Sequence, residues 1–484
     1  MKLDDPALFL EACFVNGRAV AAASGATLDV TNPATGERLG RVPSLAAAEV
    51  EGAIAAAAAA LPAWRARLAK ERAAVLRRWS ELLLAHREDL ALLMALEGGK
   101  PLSEARGEAA YAASFFEWFG EEAKRVYGEV IPSHRKGARI VVLREPIGVA
   151  AAITPWNFPA AMIARKIAPA LAAGCTMVAK PASETPFTAL AMARLGERAG
   201  VPPGVLNVVT GKSSVIGGVL SASPTVRALS FTGSTETGRL LMAQCAGTIK
   251  RLALELGGNA PFLVFDDADL EAAVEGAIVS KYRHTGQTCV CANRFLVQAG
   301  IYDAFAARLT ERVRGLVVGD PREASVQQGP LISADALAKV EAHVADALAR
   351  GAKVLCGGRP HARGGTFYEP TVLGEATPAM LCAREETFGP VAPLFRFRDE
   401  AEAVRLANDT EFGLAAYLFT RDLGRAFRVA EALETGMLGV NEGLISTEVA
   451  PFGGVKQSGL GREGSRHGIE EYVEIKYVLL GLGG

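Results

Sequence analysis

The rhythm of apolar and polar positions changes twice along this chain. From Ala46 to Ala60 alanine dominates, the strongest helix former, and Ser44 stands where a capping hydroxyl belongs. From about Ala66 to Leu96, the residues Leu76, Trp79, Leu83, Leu90 and Leu93 recur at spacings of three, four and seven. That spacing predicts an amphipathic helix packed on a core, which Gly98 and Gly99 end. The first third therefore reads as helical. From Arg139 onward, short β-branched runs alternate with helical segments. Ile140–Leu143, Gly148–Ile153, Thr176–Ala179, Leu206–Val209, Ala228–Phe231 and Arg251–Leu254 read as strands, and Pro186–Ala199 and Thr235–Cys245 as helices. Such alternation predicts an α/β fold with a doubly wound parallel sheet. A second series follows Gly258: strand Phe262–Phe265, a helix near Leu270–Val279, strand Arg294–Val297 and helix Tyr302–Val313, with further units to about Gly439. Two α/β units are expected. Glu470–Leu480 reads as a final strand, and no internal repeat or low-complexity linker interrupts the chain.

Composition narrows the function classes. The 484 residues carry 52 Lys+Arg against 53 Asp+Glu, a net charge of −1, so the basic excess that phosphate backbones demand is missing. A polybasic membrane anchor is disfavoured for the same reason. The N-terminus, with Asp4, Asp5 and Glu11, does not read as a signal peptide. The longest uncharged stretch, Pro146 to Ala164, contains Gly148, Pro155, Asn157 and Pro159; it reads as a buried strand followed by a loop, not as a membrane span. Seven scattered cysteines without disulfide spacing point to a reducing cytoplasm. No CxxC pair or Cys/His cluster suggests a metal.

Several loops carry chemistry. In the His284–Cys291 run, HTGQTCVC, Cys289 is the candidate nucleophile, because a thiolate attacks carbonyls well and forms thioesters. Cys13, Cys175, Cys245, Cys356 and Cys382 read as inert packing. Two bases compete for the partner role. His284 is close in sequence, and Glu255 ends an apolar strand just before two glycines, where partial desolvation raises a carboxylate's pKa. Spacing alone leaves that choice open. In the turn Thr154–Pro159, two prolines hold Asn157 rigidly after a strand, and its amide can donate to an oxyanion. Lys180 ends another strand and can meet ribose or phosphate. Phe231–Gly238 leads into a helix N-terminus suited to pyrophosphate, but Arg239–Leu240 replaces the Lys–Ser/Thr of a P-loop, and no GxGxxG follows a strand.

Together, seven segments in order along nearly the whole chain resemble the aldehyde dehydrogenase superfamily. They are PWNFP (155–159), KPAS (180–183), FTGSTETG (231–238), LELGGNAP (254–261), GQTC (286–289), EETFGP (385–390) and PFGGVKQSG (451–459). Within it, GQTCVCANR, AMIARK and NEGLIS most resemble succinate-semialdehyde dehydrogenases. The resemblance implies an aldehyde dehydrogenase-like fold of two doubly wound α/β domains plus a small β oligomerisation element. The implied cofactor domain spans 1–126 and 146–257, the catalytic domain 258–446, and the arm and C-terminal strand 127–145 and 447–484. A homodimer or homotetramer is implied.

The same resemblance implies residue roles. Cys289 attacks the aldehyde, Asn157 and the Cys289 N–H hold the oxyanion, hydride leaves for a nicotinamide, and Glu255 activates the water that hydrolyses the thioester. His284 has no base role in this family. Lys180, Pro181, Ala182 and Ser183 would meet the adenosine side of the cofactor, Gly233 and Ser234 the pyrophosphate, Glu386 the nicotinamide ribose, and Trp156, Asn157 and Leu256 its neighbourhood. Many NAD-preferring relatives carry Glu where this chain has Ser183, so NADP is expected to be preferred, with NAD used as well. Arg165, Arg283 and Ser446 match the subfamily's carboxylate-binding set, which implies succinate semialdehyde as substrate. Glutarate semialdehyde, one methylene longer, stays open, as does a broader aldehyde range, because a methylene is worth only about 1–3 kcal/mol. Cys291 matches a reversible disulfide partner for Cys289. Two readings from other classes are a cysteine hydrolase or acyltransferase using Cys289 with His284, and a catalytically silent relative.

Overall fold

The computed structural model describes residues 2–482. Two parallel-rich sheets organise it. The first runs, strand by strand, Arg18–Val20, Cys13–Val15, Leu206–Val208, Thr176–Lys180, Val149–Ile153, Val226–Thr232, Arg251–Glu255 and Gly459–Leu460. Its five central strands are parallel, and only the flanking pairs run antiparallel. The second runs Lys353–Cys356, Thr371–Gly374, Val391–Phe397, Ala292–Gln298, Ala260–Val264, Ala415–Phe419 and Met437–Val440, all parallel except the first pair. A third, antiparallel sheet joins Glu129–Ile131, Ala138–Pro146 and Val473–Gly481.

Both large sheets are buried on both faces, which explains their near-continuous apolar strands. Side chains alternate between two cores with the period of a strand. Ala150 and Ala152 face one core, and Val149, Ala151 and Ile153 the other. Phe262 and Val264 are likewise divided from Leu263 and Phe265.

Helices α1 (Ala47–Arg65), α2 (Ala69–Ala85), α3 (Arg87–Gly98) and α4 (Leu102–Glu122) cover the first sheet together with α5 (Pro159–Ala173), α6 (Pro186–Ala199), α7 (Ser213–Ala222) and α8 (Thr235–Cys245). Helices α9 (Leu270–Tyr282), α10 (Tyr302–Arg314) and α11 (Ala334–Ala349) pack on the second.

Several sequence expectations need correction. Ser44 does not cap α1. Ala46 is the N-cap, and Glu49 reaches back to its N–H at 2.8 Å. The expected single helix from Ala66 to Leu96 is two, because His86 leaves helical geometry between α2 and α3. Gly99 does end the second, at φ +70°. The stretch 159–164, read as loop, is the start of α5, with Pro159 at a position where a missing N–H costs nothing. The first third also holds four short strands, Cys13–Val15, Arg18–Val20, Thr27–Thr31 and Arg38–Pro43. Within 447–484, assigned above to the arm, Gly459–Leu460 pairs instead with the edge of the first sheet.

Candidate active site

The two sheets meet the site with opposite ends. The first offers the carboxyl ends of its strands, where Pro155–Asn157, Gly233–Ser234 and Leu256–Gly257 follow directly. The second offers amino ends: Cys289 precedes the strand Ala292–Gln298, and Glu386 precedes Val391–Phe397. The walls come very close. A Cβ at Gly258 would lie 2.6 Å from the Cys289 carbonyl oxygen, so only glycine fits there.

Cys289 lines two cavities of comparable size, about 300 Å³ and about 280 Å³. The first is lined by Arg165, Arg283 and Ser446, with Tyr111, Phe158 and Phe452 as apolar or amphipathic walls. The second is lined by Trp156, Asn157, Gly233, Ser234, Leu256 and Glu386. One thiol thus faces two compartments, one lined by the cations Arg165 and Arg283 and the carboxylates Glu104 and Glu108, and one adjoining the N-terminus of α8. Lys180, Pro181, Ala182, Ser183, Glu255 and Cys291 line neither cavity.

Burial pushes the Cys289 thiol up to about 12, against the pull of Arg165. The resting sulfur is therefore protonated. Asn157 is 3% exposed; one amide hydrogen goes to the Gln287 carbonyl at 3.0 Å, and the second is free to donate. Glu255 is 3% exposed, and neither carboxylate oxygen has a hydrogen-bond partner among the described residues. Burial and the nearby Glu463 carboxylate hold it well above the usual range. Glu463 is itself held low despite burial, by Lys166 at 2.5 Å and Arg165 at 2.7 Å. Lys166 also donates to Ser230 at 2.9 Å.

The two candidate anion-binding arginines differ. Arg165 is buried, paired with Glu463 and stacked 4.1 Å over the Phe452 ring. Arg283 is half-buried and makes no ion pair among the described residues; its guanidinium sits 5.4 Å over the Phe158 ring.

His284 does not pair with Cys289. Its ring is buried against Trp156 and Phe158, neither nitrogen has a hydrogen-bond partner among the described residues, and burial pushes its pKa well below the usual value. The Cys289–His284 dyad is therefore not formed. Cys291 points elsewhere too. Its thiol donates to the Lys281 carbonyl at 3.3 Å and accepts from Thr288 Oγ1 at 2.8 Å.

The second cavity suits a dinucleotide. The Thr232 hydroxyl and Asn157 Oδ1 line it and are buried without hydrogen-bond partners among the described residues, so a polar ligand would satisfy them. Ser234 caps α8 by accepting from Thr237 N–H, leaving the remaining N–H groups of that terminus open to an anion. Glu386 accepts from Gly258 N–H at 3.1 Å, and burial raises it to about 7. Lys180 donates to Ser213 at 2.7 Å at the start of α7.

Tyr111, Lys339 and Ser458 escaped sequence reasoning. Tyr111 lines the first cavity with a buried hydroxyl close to Arg165. Lys339 lines the second beside Glu386. Ser458, fully buried, donates to the Gly257 carbonyl at 2.7 Å and accepts from Gly413 N–H at 2.9 Å, tying the Glu255 loop to the second unit. None carries a local spacing signal; each matters through residues far away in sequence.

This thiol between two cavities, on two fused α/β units, belongs to a known class. The chain is a member of the aldehyde dehydrogenase family, whose model matches residues 20–478. It is 63% identical over 481 residues to a glutarate-semialdehyde dehydrogenase of Pseudomonas aeruginosa, covering 99% of this chain and 100% of that one. It is 61% identical over 482 residues to the succinate-semialdehyde dehydrogenase [NADP(+)] of Escherichia coli K12, covering 100% of both. The crystal structure of a succinate-semialdehyde dehydrogenase from Burkholderia pseudomallei superposes with a TM-score of 0.99 at 63% identity, over 99% of this chain and 100% of that one.

Proposed function

We propose that this chain oxidises short aliphatic semialdehydes with a distal carboxylate, succinate semialdehyde foremost, to the dicarboxylate with NADP or NAD. The observation that carries this reading is Arg283, a cation in the wall of the Cys289 cavity that makes no ion pair among the described residues. A half-buried guanidinium without a partner is a ready bidentate site for a substrate carboxylate. Arg165 adds positive charge, and Ser446 a hydroxyl. The relatives named for glutarate and for succinate semialdehyde are almost equally similar, so glutarate semialdehyde is the second reading.

Sulfur of Cys289 would add to the aldehyde carbon as its proton passes to water in the cavity. The free Asn157 N–H and the Cys289 N–H would hold the oxygen as it turns negative. When bound, the nicotinamide supplies the hydride acceptor that leaves the carbon as a thioester on Cys289. Glu255, its carboxylate raised by burial, would take the proton of the water that hydrolyses the thioester. Trp156, Gly233, Ser234, Leu256 and Glu386 would hold the cofactor's nicotinamide and pyrophosphate end, and Lys180, Pro181, Ala182 and Ser183 its adenosine end. Ser183 in place of a carboxylate, with Lys180 beside it, favours the 2′-phosphate of NADP. By the same reading the cofactor domain is 1–126 and 146–257, the catalytic domain 258–446 and the arm 127–145 with the final strand of 447–484, Gly459–Leu460 staying with the first sheet. The enzyme would work in the cytoplasm as a homodimer or homotetramer; among the described residues no helix is long and apolar enough to cross a membrane.

The deciding experiment follows absorbance of the reduced nicotinamide with NADP and NAD. The substrates are succinate semialdehyde, glutarate semialdehyde and pentanal. Arg283→Ala is expected to raise KM for the semialdehydes by about a hundredfold and for pentanal by less than about threefold. Equal effects would remove the substrate assignment, and a strong NAD preference would remove the cofactor assignment. A Cys289–Cys291 disulfide is proposed as an oxidative off-switch, for which the Cys291 thiol must leave Thr288 and Lys281. Cys291→Ser would then abolish dithiothreitol rescue after peroxide; unchanged rescue refutes the switch.

A further inference from the structure

Between Arg283 and Cys289 the backbone passes through two consecutive left-handed residues that are not glycine, His284 (φ 50°, ψ 39°) and Thr285 (φ 57°, ψ 34°). Such a conformation persists only where surrounding contacts over-determine it. On the far side of the turn the contacts are many. Thr285 Oγ1 donates to the Gly329 carbonyl at 3.2 Å, and Gln287 Nε2 donates to the Pro330 carbonyl at 3.3 Å. Gln287 Oε1 accepts from Ile332 N–H at 2.9 Å. On the near side, the His284 ring has no hydrogen-bond partner among the described residues. The His284 N–H, though, donates to Glu104 Oε2 at 2.8 Å. Glu104 comes from α4, on the other unit of the fold, 180 residues away.

We propose that Glu104 is a positioning residue for substrate recognition: by holding the His284 N–H it fixes the entry to the strained turn and aims Arg283 into the Cys289 cavity. This rests on the substrate reading above. Glu104 itself lines that cavity, together with Glu108 from the next turn of α4. A carboxylate at the anion-binding end is costly for an anionic substrate unless it is committed to another partner. The His284 N–H is that partner. Glu108 is committed as well: it pairs with Lys100 and accepts the Ala160 and Ala161 N–H groups at 2.9 and 3.1 Å. That leaves Arg283 as the half-buried charge facing the cavity without a dedicated counter-ion. Burial raises Glu104 to about 7, with Lys100 and Arg283 pulling it down, so the proton it gains near neutrality weakens its repulsion of a substrate anion.

The test compares Glu104→Gln, which keeps an acceptor oxygen and removes the charge, with Glu104→Ala, which removes both. For Glu104→Ala, KM for succinate semialdehyde is expected to rise about tenfold, while KM and kcat for pentanal move less than about threefold. Glu104→Gln should stay within about threefold for both. In an Arg283→Ala background, Glu104→Ala should add nothing, because its effect passes through that guanidinium. If Glu104→Ala does not fold, Glu104→Asp, one methylene short of the N–H, is judged by the same criteria. The proposal is overturned by equal losses with pentanal, by Glu104→Gln behaving as Glu104→Ala does, or by additivity with Arg283→Ala. Should Arg283→Ala itself fail to separate semialdehyde from pentanal, the substrate reading falls. Should it succeed while Glu104→Ala does not, only the positioning role falls.

Discussion

A thiol raised to about 12 by burial is a poor nucleophile until something takes its proton. This sets a test at the scale of one residue. In the ligand-free enzyme, alkylation of Cys289 by iodoacetamide should quicken about tenfold per pH unit between pH 7 and 9, because the thiolate fraction grows in that proportion below the pKa. A plateau below pH 9 would show that the resting sulfur is already ionised. Glu255 shows the same balance. Its carboxylate is raised by burial and by Glu463, so its basic form accumulates only as pH climbs above the usual carboxylate range. Any step that needs it as a base must gain rate in that direction. The identities of Cys289, Asn157 and Glu255 as candidates were legible from residue type and from flanking Gly and Pro. Their environments were not. Nothing near Glu255 in sequence reveals that Glu463 lies beside it, and nothing near Cys289 reveals that His284 turns its ring onto Trp156 and Phe158 instead.

At the scale of elements, carboxylates from α3 and α4 hold the starts of other helices. Glu97 accepts from the Phe187 and Thr188 N–H groups at the start of α6, at 2.8 and 2.9 Å. Glu108 does the same at the start of α5, the helix that carries Arg165 and Lys166. Acidic groups belong at helix N-termini, where the first N–H groups lack partners. Because Glu108 and Lys100 are each about 1% exposed, Glu108→Ala would strand a buried ammonium as well as two N–H groups. A loss of about 3–5 kcal/mol is expected, read as a lower urea midpoint at unchanged slope. A loss below about 1 kcal/mol would mean the pair is replaced by water at little cost. Helices α6 and α8 were legible end to end from the pattern, because Pro186, Gly200 and Ser234 mark their limits locally. Helix α5 was not. It is buried all round, and Pro155, Asn157 and Pro159 at its start read as a loop.

At the scale of the molecule, the antiparallel arm leaves apolar side chains in solvent. Val130, Ile475 and Tyr477 are 73%, 68% and 58% exposed. Ile475 and Tyr477 share one face of the arm sheet and Val130 lies on the other, and exposed apolar side chains of this kind are where the proposed homo-oligomer would associate. Replacing Ile475 and Tyr477 together by Asp is expected to shift the protein toward monomer in sedimentation velocity. Unchanged assembly would place the interface elsewhere. The strands at 140–143 and 470–480 were legible from their apolar runs, while their union in one arm came only with the family resemblance, because a pairing across more than 300 residues leaves no local signal.

Local pattern determined a good deal here: two α/β series, the strands that carry the motifs, and the glycine and proline punctuation that exposes Asn157, Glu255 and Cys289. These follow from backbone preference and hydrophobic period, which act over a few residues. Tertiary structure decided which groups meet: that Cys289 stands between two cavities, that Arg165 is bound to Glu463 while Arg283 is not, and that Glu104 reaches the His284 backbone. Those outcomes depend on distance and desolvation between segments far apart in the chain, and a charge's pKa or a guanidinium's freedom is set only once its neighbours have displaced water from around it.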